Sequence, residues 1–157
     1  NATGLDETVL SFAKKGRPIL GICVGMQILL GKSLEFGEWD GLNLIPGKVV
    51  RIPDRGEDGS AHKIPHIGWN RIFPPSSDDH IWPLTILSDF PHNRMVYFVH
   101  SFHAVPKDKN HILAICDYHG IKVTAAVRKE NIYGCQFHPE KSGENGLRIF
   151  RSFIGLM

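Results

Sequence analysis

Apolar residues at Leu5, Val9, Phe12 and Ala13 recur at i, i+4, i+7 and i+8, the stripe of an amphipathic helix over residues 5 to 15. Thr3 and Asp6 resemble a shortened capping box ahead of it, and Gly16 with Pro18 ends it. Pro18 to Cys23 is then a short apolar run of the kind a buried parallel strand carries, and Val24 to Leu30 has a helix-compatible pattern that Gly31 can terminate. This helix, strand, helix rhythm predicts an α/β sheet.

The pattern changes from Gly41 onward. Strand-like runs are expected at Lys48 to Ile52, Ile67 to Phe73, Met95 to His100, Ile112 to Cys116, Ile121 to Val127 and Ile132 to Phe137, between loops rich in Gly, Pro, Asp and Asn. The last three runs are joined by tight linkers, which suits antiparallel neighbours. A final helix is expected from about Asn145 to Phe153, with Leu147, Phe150 and Ile154 on one face.

With 157 residues, 42% of them apolar, the chain is long enough for one domain with a real core, and a single domain over residues 1–157 is expected. Eighteen Lys and Arg stand against sixteen Asp and Glu, scattered rather than clustered, so the surface is not that of a nucleic-acid binder. No apolar stretch approaches the roughly 17–25 residues of a membrane span. Three widely spaced cysteines argue against a disulfide scaffold and for a reducing compartment, so a cytoplasmic location is expected.

The sharpest chemical feature is Gly21-Ile22-Cys23-Val24-Gly25 at a predicted strand-to-helix junction. This is a nucleophile elbow with cysteine in place of serine. The tight turn asks for flanking residues without a Cβ. The following helix aims free N–H groups at the sulfur, which should favour thiolate, and the N–H of Val24 would point where an oxyanion forms. The bland alternative, a glycine-flanked buried cysteine, is of comparable weight on this pattern alone. A thiol nucleophile needs a base, and of nine histidines only His138, in Phe137-His138-Pro139-Glu140, has an acid placed to orient it. Proline biases His138 toward extended backbone, where Glu140 would point the same way. His100 and His103 read as structural histidines and not as metal ligands, no metal or other cofactor being called for. Cys116 and Cys135 read as inert core thiols.

Together the two motifs resemble the class I glutamine amidotransferases, whose triad is Cys, His and Glu in that order. Three further stretches, Gly41 to Val49, Pro65 to Asn70 and Tyr97 to Phe102, resemble the glutaminase subunits of imidazole glycerol phosphate synthases of histidine biosynthesis. The resemblance implies a flavodoxin-like α/β fold, a mostly parallel sheet flanked by helices with an added antiparallel portion. It makes Cys23 the nucleophile, His138 the base and then acid, and Glu140 its orienting group. Val24 would supply the backbone oxyanion donor, Gln27 would contact bound L-glutamine, and the backbone around Ser101 and Phe102 would hold its amino-acid end. The implied partner is a (β/α)₈-barrel cyclase that receives ammonia in a heterodimer. The family also carries N-terminal strands and a glycine-rich loop with a second oxyanion donor upstream of the nucleophile. The sequence, which begins at Asn1, has neither before Cys23, so an N-terminally truncated domain is expected.

Three other readings remain open at this point. A paralogue would feed ammonia to a sugar-modifying enzyme of surface polysaccharide synthesis, a non-catalytic subunit would bind glutamine without turnover, and a peptide hydrolase would use a similar elbow.

Overall fold

The structure, a computed structural model, describes residues 4–76, 81–91 and 94–157. Thr3 of the expected capping box lies outside these residues. Helix α1 (Leu5–Lys14) starts from Gly4, in left-handed backbone at φ 65°, and stops where Gly16 again adopts positive φ. Its apolar stripe is only half-covered, since none of its residues is fully buried and Leu5 and Phe12 are exposed.

Strand β1 (Ile19–Ile22) leads directly into α2 (Val24–Ile28). The helix is shorter than the pattern predicts, because Leu30, expected as the helix end with Gly31 its stop, begins a strand, β2 (Leu30–Ser33). The isolated pattern could not distinguish the two: Leu30 is buried whichever way its backbone runs, and pairing with Ile45 decides the outcome. Beyond it lie β3 (Trp39–Asp40), β4 (Ile45–Arg51), β5 (His66–Arg71), β6 (Met95–His100), β7 (Phe102–Pro106), β8 (Ile112–Tyr118), β9 (Ile121–Lys129), β10 (Ile132–Cys135) and α3 (Gly143–Gly155).

The described strands form three sheets, ordered β1-β10-β9-β8, β3-β2-β4-β7 and β5-β6. The α/β class and the antiparallel portion are those expected, but the balance differs. Only β1–β10 and β2–β4 pair in parallel among the described strands, and the other five pairs are antiparallel. Connection length explains this. The links from β8 through β10 are far shorter than the dozen or so residues a parallel crossover requires.

The first sheet is covered on both faces, so β9 is buried continuously from Val123 to Val127. On one side Val123, Ala125 and Ala126 pack with Phe98, Phe137, Tyr133 and Ile149 of α3. On the other Val127 and Ile132 pack with Met26, Leu29 and Leu30, joined by Ile45, Val49 and Phe102. Phe98 and Phe137 are wholly buried with rings 5.7 Å apart edge to face, each contributing about 1.5–3 kcal/mol by burial. Phe137 thereby fixes the chain one residue before His138.

Candidate active site

Strands β1 and β10 are parallel neighbours in register, Ile22 opposite Cys135, so their carboxyl ends coincide. Cys23 follows the first and His138 lies shortly beyond the second. Adjacent strands sit about 4.8 Å apart, so the register alone delivers the thiol and the imidazole to one edge of the sheet, where α/β proteins place their sites.

Cys23 has φ 53° and ψ −110°, a conformation costly for a side chain with a Cβ and the expected mark of an elbow. The turn is held by the Cys23 N–H donating to the carbonyl of Cys135 at 2.7 Å. Of the two flanking glycines only Gly21 is sterically required. A Cβ there would lie 2.5 Å from the Gly25 carbonyl oxygen, whereas one on Gly25 would meet nothing within 4 Å.

The thiol is half-buried. Its Sγ lies 4.0 Å from the carbonyl of Val99, to which it can donate, and accepts from Gln136 Nε2 at 3.9 Å. The Val24 N–H also faces the sulfur, as the elbow predicts. The expected drop in thiol pKa does not follow. Burial pushes it up, the charges of Glu140 and Glu35 add to that, and the Val24 and Gln136 donors only partly offset it. A five-residue helix is too short, and the sulfur too far from water, for helix-end donors to prevail. Cys23 therefore rests as a thiol and needs a base.

The His138 backbone is extended, as Pro139 dictates, but the chain then turns through a short 3-10 segment, Pro139–Lys141. Glu140 still meets the ring, Oε1 accepting from Nδ1 at 2.6 Å, through the turn and not along an extended strand. That bond engages Nδ1 and leaves Nε2 as the other ring nitrogen. It is buried and without a hydrogen-bond partner among the described residues, a state tolerated where a reacting group is awaited.

Several residues that position this turn went unnoticed in the sequence. The Ser142 hydroxyl donates to the His138 carbonyl at 2.7 Å and accepts from the Tyr97 N–H at 3.0 Å, while the His138 N–H donates to the Tyr97 carbonyl at 2.9 Å. Gly146 lets α3 close on the turn, since a Cβ there would fall 1.8 Å from the Pro139 carbonyl oxygen. Only the serine and glycine in Glu140-Lys141-Ser142-Gly143-Glu144-Asn145-Gly146 gave any signal, and it was indistinguishable from ordinary loop composition.

Gln27 is buried, and its amide nitrogen is committed inward, donating to the Phe102 carbonyl at 3.1 Å and to Gln136 Oε1 at 3.2 Å. The Phe102 carbonyl also accepts from His100 Nδ1 at 2.8 Å, so both its lone pairs are taken. Ser101 is half-buried, and its carbonyl accepts from Ile52 N–H at 2.9 Å. The structure thus gathers Gln27, Ser101 and Phe102 at the site, with the Gln27 amide nitrogen and these carbonyls spent on internal bonds. Beside Val24 and Gln27 a cleft of about 200 Å³ is walled by Ser33, Glu35 and Trp39. Glu35, also missed in the sequence, brings a carboxylate whose charge reaches Cys23. His100 and His103 are buried, held neutral with pKa values lowered by burial to about 3 and about 4. Cys116 and Cys135 are fully buried free thiols.

A strained cysteine and a carboxylate-oriented histidine, both past the ends of parallel neighbours, are the groups that thiol-dependent hydrolysis or transfer requires. Residues 2–156 match the family described as Glutamine amidotransferase class-I, and the chain belongs to that family. It is 52% identical over 148 residues to an imidazole glycerol phosphate synthase subunit HisH 1 of Legionella pneumophila (strain Lens), covering 94% of this chain and 69% of that protein. It is 46% identical over 153 residues to the HisH subunit of Syntrophotalea carbinolica, covering 97% and 71%. The fold is also that of PurLQS from Thermotoga maritima, with a TM-score of 0.64 at 20% identity over 96% of this chain and 67% of that one.

Proposed function

We propose that this protein is the glutaminase subunit of an imidazole glycerol phosphate synthase, hydrolysing L-glutamine to glutamate and ammonia for histidine biosynthesis. The observation that carries it is that the Cys23 elbow and His138 follow the aligned carboxyl ends of β1 and β10, with His138 Nδ1 held by Glu140 at 2.6 Å and Nε2 buried and unpartnered among the described residues. Relatives at 52% and 46% identity bearing that name support the choice of substrate and pathway.

The chemistry follows from the resting state. The thiol is protonated, so attack on the side-chain amide carbon of glutamine begins with transfer of its proton to His138 Nε2. The carboxylate of Glu140 steadies the imidazolium that forms. The Val24 N–H stabilises the oxyanion of the tetrahedral adduct, and His138 returns the proton to the departing ammonia. Water, deprotonated by the same nitrogen, then attacks the thioester; the C–S bond breaks to release glutamate, and His138 returns that proton to the Cys23 sulfur. Glu35, which lines the cleft, is the group suited to the α-ammonium of glutamine, and the N–H groups of the 101–102 segment, tied to Gln27 through the Phe102 carbonyl, are suited to its carboxylate.

Ammonia released to water is quickly protonated and lost as a nucleophile, so a glutaminase of this kind works against a partner. The outer face of the β5–β6 hairpin offers exposed Ile67, Trp69 and Met95, with Trp69 and Tyr97 packed edge to face at 5.9 Å. The carbonyl of Val99, next along β6, is the one the Cys23 thiol faces. A (β/α)₈-barrel cyclase docked there would sit against the nucleophile. Three free cysteines fit a cytoplasmic location. The test is to follow glutamate release with and without the cyclase and its substrate. Stimulation is expected, and a rate indifferent to the cyclase contradicts the assignment of partner.

A further inference from the structure

Sequence reasoning gave Gln136 no purpose beyond filling the strand before His138. It is wholly buried, and its surroundings are polar on both sides of the amide. Its backbone N–H is spent on the Ala125 carbonyl at 2.8 Å. Its side chain joins two others in a line, Gln136 Nε2 to Cys23 Sγ at 3.9 Å and Gln27 Nε2 to Gln136 Oε1 at 3.2 Å. Gln27 Nε2 is in turn anchored on the Phe102 carbonyl at 3.1 Å.

The direction of this line is fixed by its far end. A carbonyl oxygen only accepts, so the Gln27 amide must present nitrogen to Phe102. The second hydrogen of that nitrogen meets Gln136, which must therefore present oxygen to Gln27 and nitrogen to the sulfur. His100 Nδ1 locks the same carbonyl from the other side at 2.8 Å, and His66 Nδ1 lies 3.1 Å from His100 Nε2 in turn. Flipping Gln27 would set its oxygen against the Phe102 carbonyl, acceptor against acceptor, and flipping Gln136 would set its nitrogen against that of Gln27, donor against donor, each a buried mismatch with a large desolvation penalty.

We propose that Gln136 is a positioning residue for the nucleophile: its amide, held in one orientation by Gln27 and the Phe102 carbonyl, directs an N–H at Cys23 Sγ and so sets the direction of the thiol and stabilises its ionised form. The arrangement couples the sulfur to the 101–102 segment, so that the nucleophile and the segment proposed to hold the substrate move as one unit. This rests on the reading of Cys23 as the glutaminase nucleophile.

The test uses Gln136→Met, which keeps side-chain length and removes both polar atoms, and Gln27→Met, which leaves Gln136 in place and frees it to rotate its oxygen toward the sulfur. Each is assayed for the pH dependence of iodoacetamide labelling at Cys23, read by peptide mass spectrometry, and for kcat and KM with glutamine. In Gln136→Met the labelling midpoint is expected to rise by about half a unit to one unit, with kcat about three- to tenfold lower and KM within twofold. Gln27→Met should shift the midpoint in the same direction by less. An unchanged midpoint in a folded Gln136→Met variant overturns the proposal, and should that variant not fold, an unchanged midpoint in Gln27→Met does so. Failure of the wild-type protein to label at Cys23 or to hydrolyse glutamine would instead overturn the glutaminase reading itself.

Discussion

Glu140 stands in two relations to the site, and they pull in opposite directions when it is altered. Its carboxylate holds His138 Nδ1 at 2.6 Å, and its charge raises the pKa of Cys23. Its side chain is 46% exposed, so the bond is partly screened and a substituted side chain has room to rotate. In Glu140→Gln the amide oxygen can still accept from Nδ1, so the tautomer is kept and only charge assistance is lost. That difference is about 1 kcal/mol, or roughly fivefold in kcat. Glu140→Ala leaves Nδ1 with no acceptor from this side chain and removes about 1.5–3 kcal/mol, roughly 10- to 150-fold in kcat. KM should stay close to the wild-type value, because the carboxylate acts through the ring and not on the substrate. Labelling of Cys23 should move the other way, its midpoint shifting to lower pH in both variants as a neighbouring negative charge is lost. Steady-state glutaminase kinetics and pH-resolved iodoacetamide labelling read the two effects separately. Wild-type kcat in Glu140→Ala, or a labelling midpoint that rises, would refute this account of the carboxylate.

Cys23→Ala should abolish glutamine hydrolysis while leaving the circular dichroism spectrum unchanged, and His138→Ala should come close to doing so. A glutamine-like chloroketone should modify Cys23 alone, because burial pushes the Cys116 thiol up to about 12 and the Cys135 thiol higher still; peptide mapping checks this. Gly21→Ala should destabilise the protein by about 1–3 kcal/mol and cripple the elbow, whereas Gly25→Ala should change thermal stability little, a contrast read by melting curves. His66, His100 and His103 are held by burial at about 4, about 3 and about 4, below the ~6.5 of the unfolded chain. The unfolded state therefore binds more protons, and stability should be full above pH ~6.5 and fall as the pH drops from there toward 4, by at most about 1.4 kcal/mol per unit for each histidine. Urea unfolding at pH 7, 6 and 5 measures it, and a flat profile would contradict the burial of these rings.

The elbow at Cys23 and the turn at His138 were legible in the sequence because both motifs carry their own local constraints. Gly21 before Cys23 announces a turn that leaves no room for a Cβ, and Pro139 after His138 fixes the backbone that presents the ring. The strands with strong β-branched patterns emerged nearly whole, Met95–His100 with the bounds expected. What stayed hidden depends on partners distant in sequence. Leu30–Ser33 reads as the end of a helix until Ile45 is beside it, and Phe102–Pro106 carries a proline and a histidine that mask a strand paired to Gly47–Arg51. The raised pKa of Cys23 could not be foreseen either, since helix-end donors are visible in sequence and burial is not. Gln136, Ser142 and Glu35 are common residues whose chemistry arises from what the fold sets against them.

The central claim is that Cys23, deprotonated by a Glu140-oriented His138, carries the glutamyl group through a thioester. Acid-quenching the protein during turnover of radiolabelled glutamine, followed by peptide mapping, examines that intermediate directly. The account predicts hydroxylamine-labile label on the Cys23 peptide and none in Cys23→Ala. Glutamate formed at the normal rate with label absent, or bound to any other residue, would contradict it.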